Sequence, residues 1–158
     1  MSEIITSLSE ISDRYDALFV DLWGCVHDGV RAYDAANEAL ISYRKAGGKV
    51  ILVTNSPKPR SGVEKQLLHF GVSEDAWDSI ATSGDSARAA MYQGVVGKRV
   101  YFIGEPRDTP FFEPMTILES PIAIERVPLS KAEGIVCTGP FDPKADPSEM
   151  RSSLLFAK

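Results

Sequence analysis

Asp21 closes the apolar run Ala17-Leu18-Phe19-Val20, and Thr54 and Asn55 close a second one over residues 50–53. A carboxylate, a hydroxyl and an amide are groups suited to phosphoryl chemistry. The carboxylate attacks phosphorus or ligates a metal, and the other two hold phosphoryl oxygens. Each motif alone also has a plainer reading, with Asp21 capping a turn before Gly24 and Thr54-Asn55-Ser56 opening one. Together they favour the chemical reading. A strand-helix-strand order puts both strand ends on the same edge of a parallel sheet, outside which open α/β folds bind ligands.

The elements that would position these groups follow from periodicity and punctuation. Residues 17–20 with Leu22, and residues 50–53, are continuous apolar runs of the kind that form buried parallel strands. Between them Ala36, Ala39, Leu40 and Tyr43 share one helix face, with Asp34 as the cap, Arg44 and Lys45 in the last turn, and Gly47-Gly48 as the stop. Pro57 and Pro59 delay the next helix. Ser61 and Glu64 have capping-box spacing, Val63, Leu67 and Phe70 supply an apolar face, and Gly71 ends it. Residues 79–82 read as a short third strand, followed by a helix from about Ser86 to Tyr92 closed by Gly94. Residues 6–14 suit a short helix or turn, and Trp77 suits the edge of the domain.

Past Gly94 the pattern changes. Residues 100–103 are a clear strand, whereas residues 105–121 carry four prolines and read as loop with one helical turn. Residues 122–127 and 134–138 suggest further strands. Asp146-Pro147 opens a helix with Met150, Leu154 and Ala157 on one face.

Bulk properties narrow the function classes. The chain has 158 residues, 44% hydrophobic and 25% charged, with a formal charge of -5. That composition is globular, and scattered basic residues without a run argue against nucleic-acid binding. No apolar stretch reaches the roughly 18 residues of a membrane span, and the N-terminus has no secretory features, so a cytoplasmic location is expected. Cys25 and Cys137 are far apart with no CxxC spacing, which disfavours a disulfide framework or a zinc site. Gly24 and Gly29 bracket a loop holding His27 and Asp28; His27 reads first as a surface histidine, since no partner is evident. Lys58 and Arg60 leave the second strand on a loop that an anionic substrate would approach, though loop cations are usually just solvated.

The strand ending Asp21-Leu22-Trp23-Gly24, the flap through Asp28-Gly29, the helix ending Ala46-Gly47-Gly48 and the strand ending Val53-Thr54-Asn55-Ser56 together resemble haloacid dehalogenase (HAD) superfamily hydrolases of subclass IIA, the NagD-like and 4-nitrophenylphosphatase-like phosphatases. The resemblance covers nearly the whole chain and corresponds to the N-terminal part of such a protein. It implies a three-layer Rossmann-like parallel-sheet core, its N-terminal half in residues 1–85, followed by part of an α/β cap domain in residues 86–158. It also implies a Mg2+-dependent phosphohydrolase acting on a small phosphorylated metabolite. Asp21 would be the nucleophile that forms an aspartyl-phosphate, Thr54 and Asn55 would bind the phosphoryl oxygens, and Asp21 with the Trp23 main-chain carbonyl would hold Mg2+. Neither nucleic acid nor membrane is implied as a partner, whereas a homodimer through the cap is.

Two departures from the family pattern carry consequences. Trp23 stands where the family has a second aspartate, the group that protonates the leaving group and activates water. Losing such general acid-base help costs on the order of 10²- to 10⁴-fold in rate. His27 or Asp28 in the flap would then be the substitute proton donor. The family's later lysine and acidic pair lie C-terminal to the cap and fall outside this chain, so weak Mg2+ binding and little turnover are expected of the chain alone. A non-catalytic phosphate- or metabolite-binding protein is the competing reading. A phosphoacceptor receiver domain lacks its acidic pair on the first strand here, and a nicotinamide fold lacks its Gly-x-Gly-x-x-Gly.

Overall fold

A computed structural model describes residues 4–144, 146–151 and 155 of the chain. Three apolar segments form strands β1 (Ala17–Asp21), β2 (Lys49–Thr54) and β3 (Ser79–Thr82). They pair in parallel in the order β1-β2-β3, with Asp21 beside Val53 and Thr54 beside Thr82. The expected parallel α/β arrangement is therefore present, and the polar ends of β1 and β2 lie on one edge.

Helices α1 (Asp34–Lys45) and α2 (Arg60–His69) supply the cover. Leu40 and Tyr43 from α1 and Val63 and Leu67 from α2 cluster with Val50, Leu52 and Ile80 of the sheet, and Leu18 and Val20 pack against the same cluster. Each large apolar side chain so buried contributes about 1.5–3 kcal/mol. Alternation assigns these strand residues to one face, and Phe19, Val53 and Ala81 on the other are exposed. Trp77 is buried within the core at 6% exposure, not at the domain edge.

Several boundaries differ from the sequence reading for local reasons. Asp34 is the first residue of α1 and Tyr33 its cap, with no side-chain capping bond. The Asp34 carboxylate still suits the positive end of the helix dipole. Helix α2 starts at Arg60, directly after Pro59, so Ser61 and Glu64 lie inside the helix and form no capping box. Helix α3 (Ser83–Tyr92) begins directly after β3, three residues before the expected start. Gly84 permits this, because a Cβ there would overlap the Pro57 carbonyl. Residues 6–14 form two short 3-10 turns, Leu8–Glu10 and Ser12–Arg14.

The chain divides into two compact units, one running through Ser56 and resuming at Arg60–Ser83, the other comprising Pro57–Pro59 and the residues from Gly84 onward. The second unit has its own parallel sheet, β4 (Arg99–Ile103) between β5 (Glu125–Arg126) and β6 (Gly134–Cys137). Met91, Tyr92, Val100, Phe111 and Val136 form its core. The proline-rich stretch contains a 3-10 segment, Pro106–Phe112. Arg88, 6% exposed, ties that stretch to α3. Its guanidinium donates to the carbonyls of Phe111 (2.9 Å) and Glu113 (2.6 Å) and to Asp85 (2.8 Å), which satisfies a buried cation. Asp146 caps a 3-10 turn, Pro147–Met150, by accepting from the Ser148 N–H at 2.8 Å. Leu154 and Ala157, which the sequence reading placed on a helix face there, lie outside the described residues. No helix among the described residues is long and apolar enough to cross a membrane.

Candidate active site

Strand β1 delivers Asp21 to the sheet edge, and the chain turns sharply behind it. The Leu22 carbonyl accepts from the N–H groups of Cys25, Val26 and His27, and the Gly24 N–H returns to the His27 carbonyl at 2.9 Å. Asp21 is exposed, and its Oδ1 accepts from the Leu22 N–H at 2.8 Å, which fixes the carboxylate at the strand end. On β2 the Thr54 Oγ1 accepts from the Ser56 N–H at 3.2 Å, leaving the hydroxyl proton to be donated. Asn55 next to it is exposed. Phe19, Asp21, Trp23, Val53, Thr54 and Asn55 line one open cleft of about 670 Å³.

The loop after Asp21 is held by aromatic packing. The Trp23 ring lies against Gly29, where any Cβ would run into it, and the Gly29 φ of +87° suits glycine. Trp23 meets His27 edge-on with ring centroids 5.8 Å apart, and His27 meets Phe70 at 4.9 Å. The His27 Nδ1 accepts from the Gly29 N–H at 3.0 Å. At 6% exposure His27 is a buried residue of this loop and not the surface histidine read from the sequence. Burial lowers its pKa, and the negative charges of Asp28 and Asp21 offset part of that effect. The Asp28 carboxylate accepts from the N–H groups of Arg31 and Val30, both at 2.8 Å, and these bonds hold its pKa below the usual range.

The structure thus gathers Asp21, Trp23, Thr54 and Asn55 around one cleft, whereas His27 and Asp28 are engaged in the loop's own architecture. Phe19 and Val53, which the sequence reading passed over as strand interior, also line the cleft. Their position on the same sheet face as Asp21 follows from two-residue alternation on β1 and from the Asp21 to Val53 register. A smaller hollow of about 300 Å³ at the other end of β2 is lined by Arg44, Lys49 and Asp78, among others. These charges pair with one another and brace the fold there.

Among the described residues no group of three or more His, Cys, Asp or Glu side chains is placed to hold a metal ion. Asp21 and the Trp23 carbonyl are hard oxygen donors, right in kind for Mg2+, but they cover only two of its six or so positions. These residues therefore fit as part of a Mg2+ site.

The chain matches the haloacid dehalogenase-like hydrolase family over residues 18–116. Among solved structures, a haloacid dehalogenase-like hydrolase from Brucella suis is 36% identical with a TM-score of 0.85, the match covering 97% of this chain and 56% of that one. A 4-nitrophenylphosphatase from Thermotoga maritima is 17% identical with a TM-score of 0.65, covering 92% and 52%. A protein described as a possible sugar phosphatase of the HAD superfamily, from Cytophaga hutchinsonii, is 20% identical with a TM-score of 0.64, covering 98% and 56%. These last two likenesses are of fold. The chain spans little more than half the length of each of these proteins. Comparison with curated protein sequences gives no significant match. From the match over residues 18–116 and the 36% identity along nearly its whole length, the chain belongs to the haloacid dehalogenase-like hydrolase family.

Proposed function

We propose that the chain carries the nucleophilic half of a phosphohydrolase site, with Asp21 as the attacking group. The observation behind this reading is that a fixed carboxylate at the end of β1 and the Thr54-Asn55 pair at the end of β2 line a single cleft. Asp21 attacks phosphorus, an Asp21 oxygen-to-phosphorus bond forms, and the bond to the leaving oxygen breaks with its electron pair departing on that oxygen. Water then attacks the aspartyl-phosphate, releasing inorganic phosphate and restoring the carboxylate. The Thr54 hydroxyl and the Asn55 amide donate to the phosphoryl oxygens as charge builds on them.

Mg2+, when bound, would neutralise charge on the phosphoryl group, with the Asp21 carboxylate and the Trp23 carbonyl as this chain's ligands. Proton supply distinguishes this site. Trp23 has no proton to transfer at the place where the resemblance expects an aspartate, while the His27 Nδ1 accepts from the Gly29 N–H and the Asp28 Oδ1 from those of Val30 and Arg31. The site is accordingly suited to leaving groups that depart unprotonated, such as aryl phosphates. In the same reading the second unit is part of a cap that selects the substrate.

A non-catalytic phosphate-binding role is the second reading, favoured by Trp23, which stands where the resemblance expects the proton-transferring aspartate. The two separate in a chimera that joins this chain to the part of the Brucella suis hydrolase outside the match. Hydrolysis of 4-nitrophenyl phosphate that requires Mg2+ and is abolished by Asp21→Asn supports the enzyme. Saturable phosphate binding without turnover supports the binder.

A further inference from the structure

Single exposed apolar side chains are common on protein surfaces and need no explanation. Trp23 differs in what surrounds it. The residue is 67% exposed, yet its indole is seated against Gly29, whose φ of +87° and missing Cβ make room for it. His27 meets the ring edge-on and is itself packed on Phe70. The loop behind the ring is held by the three N–H groups donated to the Leu22 carbonyl, by the Gly24 N–H donated to the His27 carbonyl, and by the Gly29 N–H donated to the His27 Nδ1. Val26, in the same loop, is fully buried in the core. The ring is therefore positioned before any ligand arrives, and the ordering that a loose side chain would undergo on binding is already complete.

Trp23 also lines the cleft that holds Asp21, Thr54 and Asn55, and among the described residues the rest of the lining is Phe19 and Val53. Beyond the carboxylate, hydroxyl and amide, the wall thus offers aromatic and aliphatic carbon and no further polar side chain. A polyhydroxylated ester group would leave its hydroxyls unpaired against it. A flat ring would instead gain the offset-stacked or edge-to-face contact that aromatic pairs prefer. We infer that Trp23 is a specificity-determining residue of this cleft, a fixed aromatic platform that selects phosphate monoesters whose organic part is a flat aromatic or heteroaromatic ring. The inference rests on the proposed phosphoryl site and adds to it. Lack of a proton donor restricts which leaving groups depart, whereas the platform restricts which ones bind. An ester whose ring is carried on a methylene, and whose leaving oxygen does need a proton, is therefore bound as well as an aryl ester.

Phosphonates, which are not hydrolysed, test binding apart from turnover. The isotope-labelled chain is titrated, with Mg2+ present, with benzylphosphonate, with cyclohexylmethylphosphonate of similar size, and with methylphosphonate. The amide signals of Thr54 and Asn55 and the indole N–H signals of Trp23 and the buried Trp77 are followed by nuclear magnetic resonance. Benzylphosphonate should bind about 3- to 10-fold more tightly than cyclohexylmethylphosphonate, the gain of an aromatic pair beyond its buried area, and should move the Trp23 indole signal while that of Trp77 stays in place. Trp23→Leu should erase the preference and Trp23→Phe should keep part of it. Because the preference is a ratio of two affinities for the same protein, it does not depend on how fully each variant folds. Equal affinity for the flat and the saturated ring, or a preference that survives Trp23→Leu, would overturn the inference alone, provided that methylphosphonate still shifts Thr54 and Asn55. Failure of all three phosphonates to shift those amides would overturn it together with the reading on which it rests.

Discussion

Trp23 is the residue that most changes what the cleft can do. It lines the cleft beside Asp21 while its ring rests on Gly29, so it joins the site to the loop that follows. If proton transfer is what the site lacks, Trp23→Asp in the chimera should raise turnover of alkyl phosphates by about 10²- to 10⁴-fold. Aryl phosphates, which leave without a proton, should gain far less. Steady-state kinetics over a series of leaving groups measures the contrast, and an equal gain for both classes would count against it. Gly29→Ala tests the support beneath the ring. A methyl group there meets the Trp23 ring on a backbone with a φ of +87°, so about 1–3 kcal/mol of stability should be lost in urea denaturation. His27 supplies a pH dependence. Burial holds its folded pKa below its unfolded value, so the neutral ring favours the folded state above about pH 6.5 and that contribution fades as pH falls below it. The midpoint of thermal unfolding should drop over that range, and less so in His27→Gln.

At the level of elements, sequence pattern located most of the fold and left its ends and caps to local contacts. Apolar runs marked β1 and β2, and the Leu40 and Tyr43 spacing marked α1, because burial selects these residues directly. The capping box at Ser61 failed because α2 begins at Arg60, directly after Pro59, which leaves Ser61 inside the helix. The pairing of Asp21 with Thr54 and Asn55 was legible because parallel order fixes which strand ends coincide. The Trp23, His27 and Phe70 contacts were not, since no periodicity links a loop to the end of a distant helix. The brace at Asp78 was equally hidden. Its carboxylate accepts from Arg44 at 3.0 and 3.1 Å, from Lys49 at 3.3 Å and from the Val50 N–H at 2.8 Å. The Arg44 bonds chiefly, with the Val50 and Lys49 bonds, lower its pKa to about 2. The sign is that of a depressed carboxylate, with stability present above the unfolded value of 3.8 and lost as pH falls towards 2. Asp78→Asn should flatten the acid limb of a stability curve measured by circular dichroism.

At the scale of the whole molecule, the chain gathers Asp21, Thr54 and Asn55 in one open cleft but covers only 56% of the Brucella suis hydrolase. With two candidate metal ligands and an exposed carboxylate, the chain alone should turn over an aryl phosphate at least about 10²-fold more slowly than the chimera, the usual loss when one charge-stabilising group is missing. Parallel assays at equal protein concentration measure this. The most direct test of the central claim is to trap the covalent state. The chimera is mixed with 4-nitrophenyl phosphate and Mg2+, quenched in acid, reduced with borohydride and mapped by peptide mass spectrometry. The account predicts reduction of an acyl phosphate to homoserine at position 21, absent from Asp21→Asn. Hydrolysis that continues in Asp21→Asn, or an acyl phosphate trapped at another carboxylate, would contradict it.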